Sequence, residues 1–328
     1  MNFGPKCSPE VQNVPPPLAA VAAAFRDSAQ VVGSIDSALL MWEACCVPSL
    51  LAGAGTWVGI SPAAERKLES LQHWFLRLML RVGPGCPVAS LRWETGMLSM
   101  QMRIWVEKVM MVRHLRGLEE GSLARLVYDE QKEQGWPGLA KETSNICLEL
   151  GIENCNESDI WSLSTKQYRQ LLIQKCKEKD EIGLRKMAEG KIKCTKIMSE
   201  LYGRKLYMST YRLYMARQIF CTRVQMQPFG TNYRHDKRFK KSNFMCKCAK
   251  SEESESHLIS GKCAIYGDLR KKHEDIEDDR KLTDFFLAIL DRRERLEEKD
   301  TRTQDTLVAG SSPLLAARHS GVPPVLAL

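Results

Sequence analysis

The stretch SPAAERKLESLQHWFLRLMLRVGPG, residues 61 to 85, constrains the fold more than any other. Ser61 followed by Pro62 reads as a helix start, with serine as the cap and proline in the first turn. Leu68, Leu71, Phe75, Leu78, Met79 and Val82 then recur at helical spacing, with Arg66, Lys67, Glu69 and Arg77 between them. Gly83-Pro84-Gly85 stops the helix. The same period returns downstream. A second helix is predicted from Met102 to Leu115, its apolar side carrying Ile104, Trp105, Val109, Met110 and Val112. Two more, Ser122 to Gln134 and Leu139 to Leu150, flank the turn signal GWPG. Ser164 to Glu189 and Lys193 to Leu201 carry Lys and Glu at helical spacing, as solvated faces do. Strand patterns are rare beyond the Trp57 region, so the predicted fold class is mainly α.

The chain has 328 residues, enough for two or three modest domains. The ends are predicted to be disordered. Residues 1 to 28 combine a proline triplet with an alanine run, and 301 to 328 carry no periodicity. No basic region followed by an apolar core marks a secretory signal, and most of the twelve cysteines are scattered without a framework. A reducing, intracellular compartment, nucleus or cytoplasm, is therefore expected. Residues 38 to 60, ALLMWEACCVPSLLAGAGTWVGI, are apolar enough to raise a membrane span. Glu43, Pro48 and three glycines argue for a buried core segment instead, and no membrane partner is expected.

The net charge of +8 is mild, so its distribution matters more than its size. Residues 204 to 241 hold ten Lys or Arg, seven aromatics and a single acid, Asp236. Cations neutralise phosphates and aromatic faces stack on exposed bases, which is what an RNA surface requires. The aromatics also have a plainer reading. Tyr207, Tyr211 and Tyr214 fall at i, i+4 and i+7, a spacing that suits a buried stripe, and Phe220 reads as core as well. The cations Arg212, Arg217, Arg223, Arg234, Lys237, Arg238, Lys240 and Lys241 are the candidate phosphate contacts, against a solvated helix face as the alternative.

Directly after this run come Cys246, Cys248, His257 and Cys263, in CKCAKSEESESHLISGKC. Three thiols and an imidazole at short spacing suit tetrahedral zinc. The segment between Cys248 and His257 is polar and acidic, so little but a metal is expected to give this region a core. A thiol-bearing surface loop is the alternative, since C-x-C is less diagnostic than C-x-x-C.

Taken together, WEACCVPSLLAGAGTW, LQHWFLRLMLRVGPGCPVASLRWETGMLSMQMRIW, YDEQKEQGWPGLAKE, ARQIFCTRVQMQPFGTNY and HLISGKCAIYGDL carry a resemblance. The chain resembles the C-terminal part of the reverse transcriptase of non-LTR, LINE-type retrotransposons, from about Ser34 to Glu298. The resemblance implies a palm remnant and helical thumb-like region at 29–120, a helical connector at 121–203, and a basic segment with a Cys-Cys-His-Cys knuckle at 204–300. It maps the zinc ligands onto Cys246, Cys248, His257 and Cys263, and it implies RNA, or RNA and DNA, as the partner. Leu258 and Tyr266 would then pack around the metal or meet a base.

The departures from that pattern matter as much. Polymerase chemistry needs paired aspartates holding two metal ions, after an aromatic residue at a strand turn. The only adjacent pair here is Asp278-Asp279, in EDIEDDRKL, a helical or loop context. The expectation is therefore a truncated, non-catalytic, nucleic-acid-binding fragment with zinc as its cofactor and no small-molecule substrate. The competing expectation is an interaction protein whose amphipathic helices, detached from a palm, seek other partners.

Overall fold

The computed structural model describes residues 34–152, 162–191, 194, 197–227, 229, 245–260, 263–273 and 278–310. Residues 1–28, expected to be disordered, lie outside that set. The chain divides into two units, Met1–Pro228 and Phe229–Leu328. Among the described residues the architecture is helical, with one isolated β-bridge between Met245 and Glu252.

In the first unit, Ser34 caps α1 (Ile35–Met41) by accepting the N–H of Ser37 at 3.1 Å. A π-helical turn, Trp42–Cys46, and the short α2 (Val47–Leu50) follow. The stretch with membrane-like hydropathy is thus cut into short pieces. Leu39, Trp42, Cys46, Val47, Leu51 and Ala54 from it are buried, and the Trp42 ring stacks on Phe75 at 4.2 Å. Among the described residues no helix is long and apolar enough to cross a membrane.

Helix α3 (Pro62–Leu80) begins where the sequence placed it, with Ser61 Oγ accepting the N–H of Ala64 at 3.2 Å. It ends in a Schellman turn. Arg81 takes the left-handed conformation, Val82 N–H bonds the Arg77 carbonyl at 3.1 Å, and Arg81 N–H bonds that of Leu78 at 3.3 Å. Phe75, Leu76, Met79 and Leu80 form the buried side. Helices α4 (Val88–Thr95) and α5 (Met100–Arg116) meet at Gly96, whose φ is 65°. A Cβ at Gly96 would lie 2.5 Å from the backbone nitrogen of Arg204, so the later chain passes against this turn. Helices α6 (Leu123–Glu133) and α7 (Leu139–Glu149) flank the GWPG turn as expected. Helix α8 (Thr165–Ala188) starts with a capping box between Ser164 and Gln167 and buries Tyr168, Leu172, Cys176 and Leu184.

The expected boundary at 203/204 is displaced. Helices α9 (Tyr207–Thr210) and α10 (Leu213–Arg223) belong to the first unit, where Met208, Ala216, Phe220 and Val224 share a core with Trp42, Phe75 and Trp93. Buried polar bonds hold them there. Glu94 is fully buried and accepts from Arg223 Nε at 2.7 Å, Arg223 Nη2 at 2.9 Å and the Tyr207 hydroxyl at 2.9 Å. Of the three tyrosines at helical spacing, Tyr207 and Tyr211 are half-buried against the core, whereas Tyr214 is 62% exposed.

The second unit comprises α11 (Glu255–Ile259), a 3-10 turn at Ala264–Tyr266, α12 (Gly267–Lys272) and the long α13 (Asp279–Gly310). Two expectations are corrected here. Helix α13 runs through the first part of the segment taken as a disordered tail, to Gly310, while 311–328 lie outside the described residues. The region around the cysteines also has an apolar core of its own. Phe229, Leu258, Tyr266, Phe285, Phe286 and Ile289 are fully buried beside Cys246 and Cys263, with Phe229 edge-on to Phe286 at 5.1 Å. Half of these apolar partners, Phe285, Phe286 and Ile289, come from α13, beyond the polar loop on which the expectation rested.

Candidate metal centre

The loop that carries the first two cysteines is closed by its backbone. Met245 and Glu252 form the antiparallel bridge, and Cys246 N–H bonds the Ser251 carbonyl at 2.8 Å. Ala249 N–H bonds the Cys246 carbonyl at 2.8 Å, with Ala249 in the left-handed region at φ 57°. This tight turn lets a C-x-C pair present both sulfurs to one point. Ser254 then caps α11 by accepting the N–H of His257 at 3.2 Å, fixing the histidine in the first turn. Cys263 leads into the 3-10 turn and is fully buried.

These elements bring four ligand atoms within 4.8 Å of one another. Cys246 Sγ lies 3.6 Å from Cys263 Sγ, and Cys248 Sγ lies 3.3 Å from His257 Nε2. The sulfur pair is far longer than a disulfide, about 2.05 Å. A tetrahedron with metal–sulfur bonds of about 2.3 Å has edges of about 3.8 Å between sulfurs and about 3.6 Å between sulfur and nitrogen. These two spacings fall a few tenths below those edges, and the remaining pairs lie within 4.8 Å. The group can hold a metal ion, and three thiols with one imidazole are a soft donor set.

Burial first, then the neighbouring Cys263 and Cys248 thiols, push the Cys246 thiol up to about 12. Burial also acts to raise that of Cys248, but the N–H groups of Lys250 and Ser251 and the bonded thiols outweigh it, so its pKa falls below the ordinary value. The three thiols would ionise together only around a cation.

Outer contacts brace the ligand loops. Arg270 donates to the Leu258 carbonyl next to His257. Arg292 on α13 holds the Ile265 carbonyl at 3.0 Å and both oxygens of Asp268 at 2.5 and 2.6 Å. Arg293 reaches the buried Glu253 at 2.9 Å. Sequence reasoning missed these positions and α13 itself. The signal was present in Leu282, Phe285, Phe286 and Ile289, spaced three, one and three apart as on one side of a helix. Leu258 and Tyr266 are both fully buried, so of their two expected roles they pack and do not meet a base.

The candidate phosphate contacts divide. Arg223 is corrected: it is buried and committed to Glu94 and Glu200, because an acid fully enclosed by the core requires a cation. Arg217 is also buried and donates Nε to the Met79 carbonyl at 2.6 Å. Arg212 stands exposed at the start of α10. Arg234, Lys237, Arg238, Lys240 and Lys241 lie outside the described residues. Asp278 accepts the N–H of Arg280 at 2.9 Å at the start of α13, while Asp279 is its first residue.

Comparison of the chain with protein-family models, with curated proteins and with solved structures found no match.

Proposed function

We propose that Cys246, Cys248, His257 and Cys263 hold zinc, and that the module they organise acts with the preceding Lys/Arg run as an RNA-binding element. The observation that carries this reading is the convergence of the four ligand atoms within 4.8 Å, directly after the cations of residues 234–241. Zinc would supply the positive charge that closely packed thiolates require and would tie three separate loops into one fold. The cations would neutralise backbone phosphates without reading sequence. On this reading the chain is a non-catalytic fragment of the LINE-type reverse transcriptase that its sequence resembles, since the aspartate pair of polymerase chemistry is missing from it. The test replaces Lys237, Arg238, Lys240 and Lys241 with Glu and follows RNA affinity by gel shift. Unchanged affinity at low salt would sink the reading, and primer extension that depends on Mg²⁺ would sink its non-catalytic part.

A second reading, an interaction protein, is favoured by one observation. Leu123, Leu126 and Val127 lie on one side of α6 and are 77%, 52% and 49% exposed. Salt-insensitive self-association without RNA affinity, measured by sedimentation, would favour it over the first.

A further inference from the structure

Two stretches without a carboxylate meet in the first unit. Residues 70–93 and 201–227 contain no Asp or Glu. They are joined where Arg217 on α10 donates to Met79 O in the last turn of α3, across 138 residues of sequence. Several arginines of these stretches are matched by acids from elsewhere. Arg92 pairs with Asp180, Arg204 with Asp36, and Arg223 with Glu94 and Glu200. Arg77, Arg81 and Arg217 have no carboxylate partner among the described residues.

Each of the three is placed in an unusual way. Arg217 is 8% exposed, and its one bonded partner is a neutral carbonyl. A buried cation is costly unless something offsets its charge, and the carbonyl end of a helix offsets only part of it. Arg81 occupies the left-handed cap of α3 at φ 54°, a position where glycine is the ordinary choice. Its side chain is exposed. Arg77, one turn earlier, reaches the Cys86 carbonyl at 3.4 Å, and its Nε is buried with no partner. Arg217 Nε meets the Met79 carbonyl two residues before the Arg81 cap, and burial, and after it the Arg81 guanidinium, hold the pKa of Arg217 down at about 10.

We propose that Arg77, Arg81 and Arg217 form a phosphate-binding cluster at the C-terminal end of α3, and that its ligand is the RNA backbone. Guanidinium groups match phosphate oxygens in paired hydrogen bonds, and these three have no acid partner among the described residues. Arg81 and Arg77 would meet the phosphate, with Arg217 supplying fixed charge behind them. The proposal rests on the RNA-binding reading above and adds a contact in the first unit, separate in sequence from the run at 234–241.

The test uses the full chain and a single-stranded RNA oligomer, with affinity followed by fluorescence anisotropy over a range of salt. Arg81→Gly suits the left-handed cap, so it removes the charge without opposing the fold, and a melt by circular dichroism verifies this. One lost phosphate contact should lower the slope of log affinity against log salt by about 0.7 and weaken binding about fivefold at 0.1 M salt. Arg81→Lys should keep the slope. An unchanged slope in Arg81→Gly, with binding still lost in the K237E/R238E/K240E/K241E variant, overturns this inference and leaves the RNA-binding reading standing. A wild-type chain that binds no RNA overturns both, even where inorganic phosphate alone binds at the cluster.

Discussion

Glu94 on α4 and Arg223 on α10, 129 residues apart in sequence, meet in a paired ion bridge at 2.7 and 2.9 Å, with the carboxylate fully enclosed. This contact makes the front half of the basic segment part of the first unit's core. It also separates two uses of arginine in this chain. Some arginines neutralise buried acids, and others have no acid partner among the described residues.

Arg223→Ala leaves Glu94 buried without its cation. The expected loss is about 3–5 kcal/mol of stability, because desolvating an unpaired carboxylate costs far more than the pair gains. Urea unfolding measures it. A loss below about 1 kcal/mol would mean that water reaches Glu94 and the enclosure is not real.

Gly96 turns the chain between α4 and α5 with a positive φ, hard against the backbone of Gly203 and Arg204. Gly96→Ala combines left-handed strain with a backbone clash and should cost about 2–4 kcal/mol. Thermal unfolding of the two proteins tests this. Equal midpoints would show that the 203–205 segment does not pass here.

Glu142 accepts the Gly59 N–H at 2.7 Å and Lys108 Nζ at 2.5 Å. Burial acts to raise its pKa, but the bonds from Lys108 and Gly59 outweigh it and hold the carboxyl below the ordinary range. A depressed folded-state pKa gives stability that is present above the unfolded value, near 4.5, and lost as pH falls through the folded value. The stability gap between wild type and Glu142→Gln should be about 1–2 kcal/mol at pH 7 and should close below about pH 4.5. Denaturant titrations at several pH values read it. A gap independent of pH would contradict the assignment.

Metal removal should act on the second unit. Its core packs Cys246 and Cys263 against Phe285, Phe286 and Ile289, so loss of the ion releases both the ligand loops and the apolar side of α13. A chelator is expected to reduce helical ellipticity, with recovery on adding back zinc. Ellipticity unmoved by chelation would assign the stability of that core to its phenylalanines alone.

Much of the first unit was legible in sequence because local signals agreed with one another. Ser61-Pro62, Ser122 and Ser164 mark helix starts, and the apolar period of residues 68–82 marks the buried side of α3. The cluster of Cys246, Cys248, His257 and Cys263, which could hold a metal ion, was legible as soft donors at short spacing, with a thiol-bearing loop as the alternative. Tertiary partnership was not. Nothing local separates Arg223, which neutralises a buried acid, from Arg212, which stands exposed, because the difference lies in Glu94, far away in sequence. The core around the cysteines was missed for a related reason. The loop from Ala249 to Ser256 is polar, and much of its apolar complement lies on α13, whose charged residues mask the period of Leu282, Phe285, Phe286 and Ile289.

The measurement that tests the central claim most directly is the metal content of the full chain, purified without added chelator and dialysed against trace-metal-free buffer, by elemental mass spectrometry. The account predicts about one zinc per chain, lost when Cys246 and His257 are replaced by Ser and Ala. A chain that carries no zinc, or keeps it in that double variant, would contradict the assignment of Cys246, Cys248, His257 and Cys263 as its metal centre.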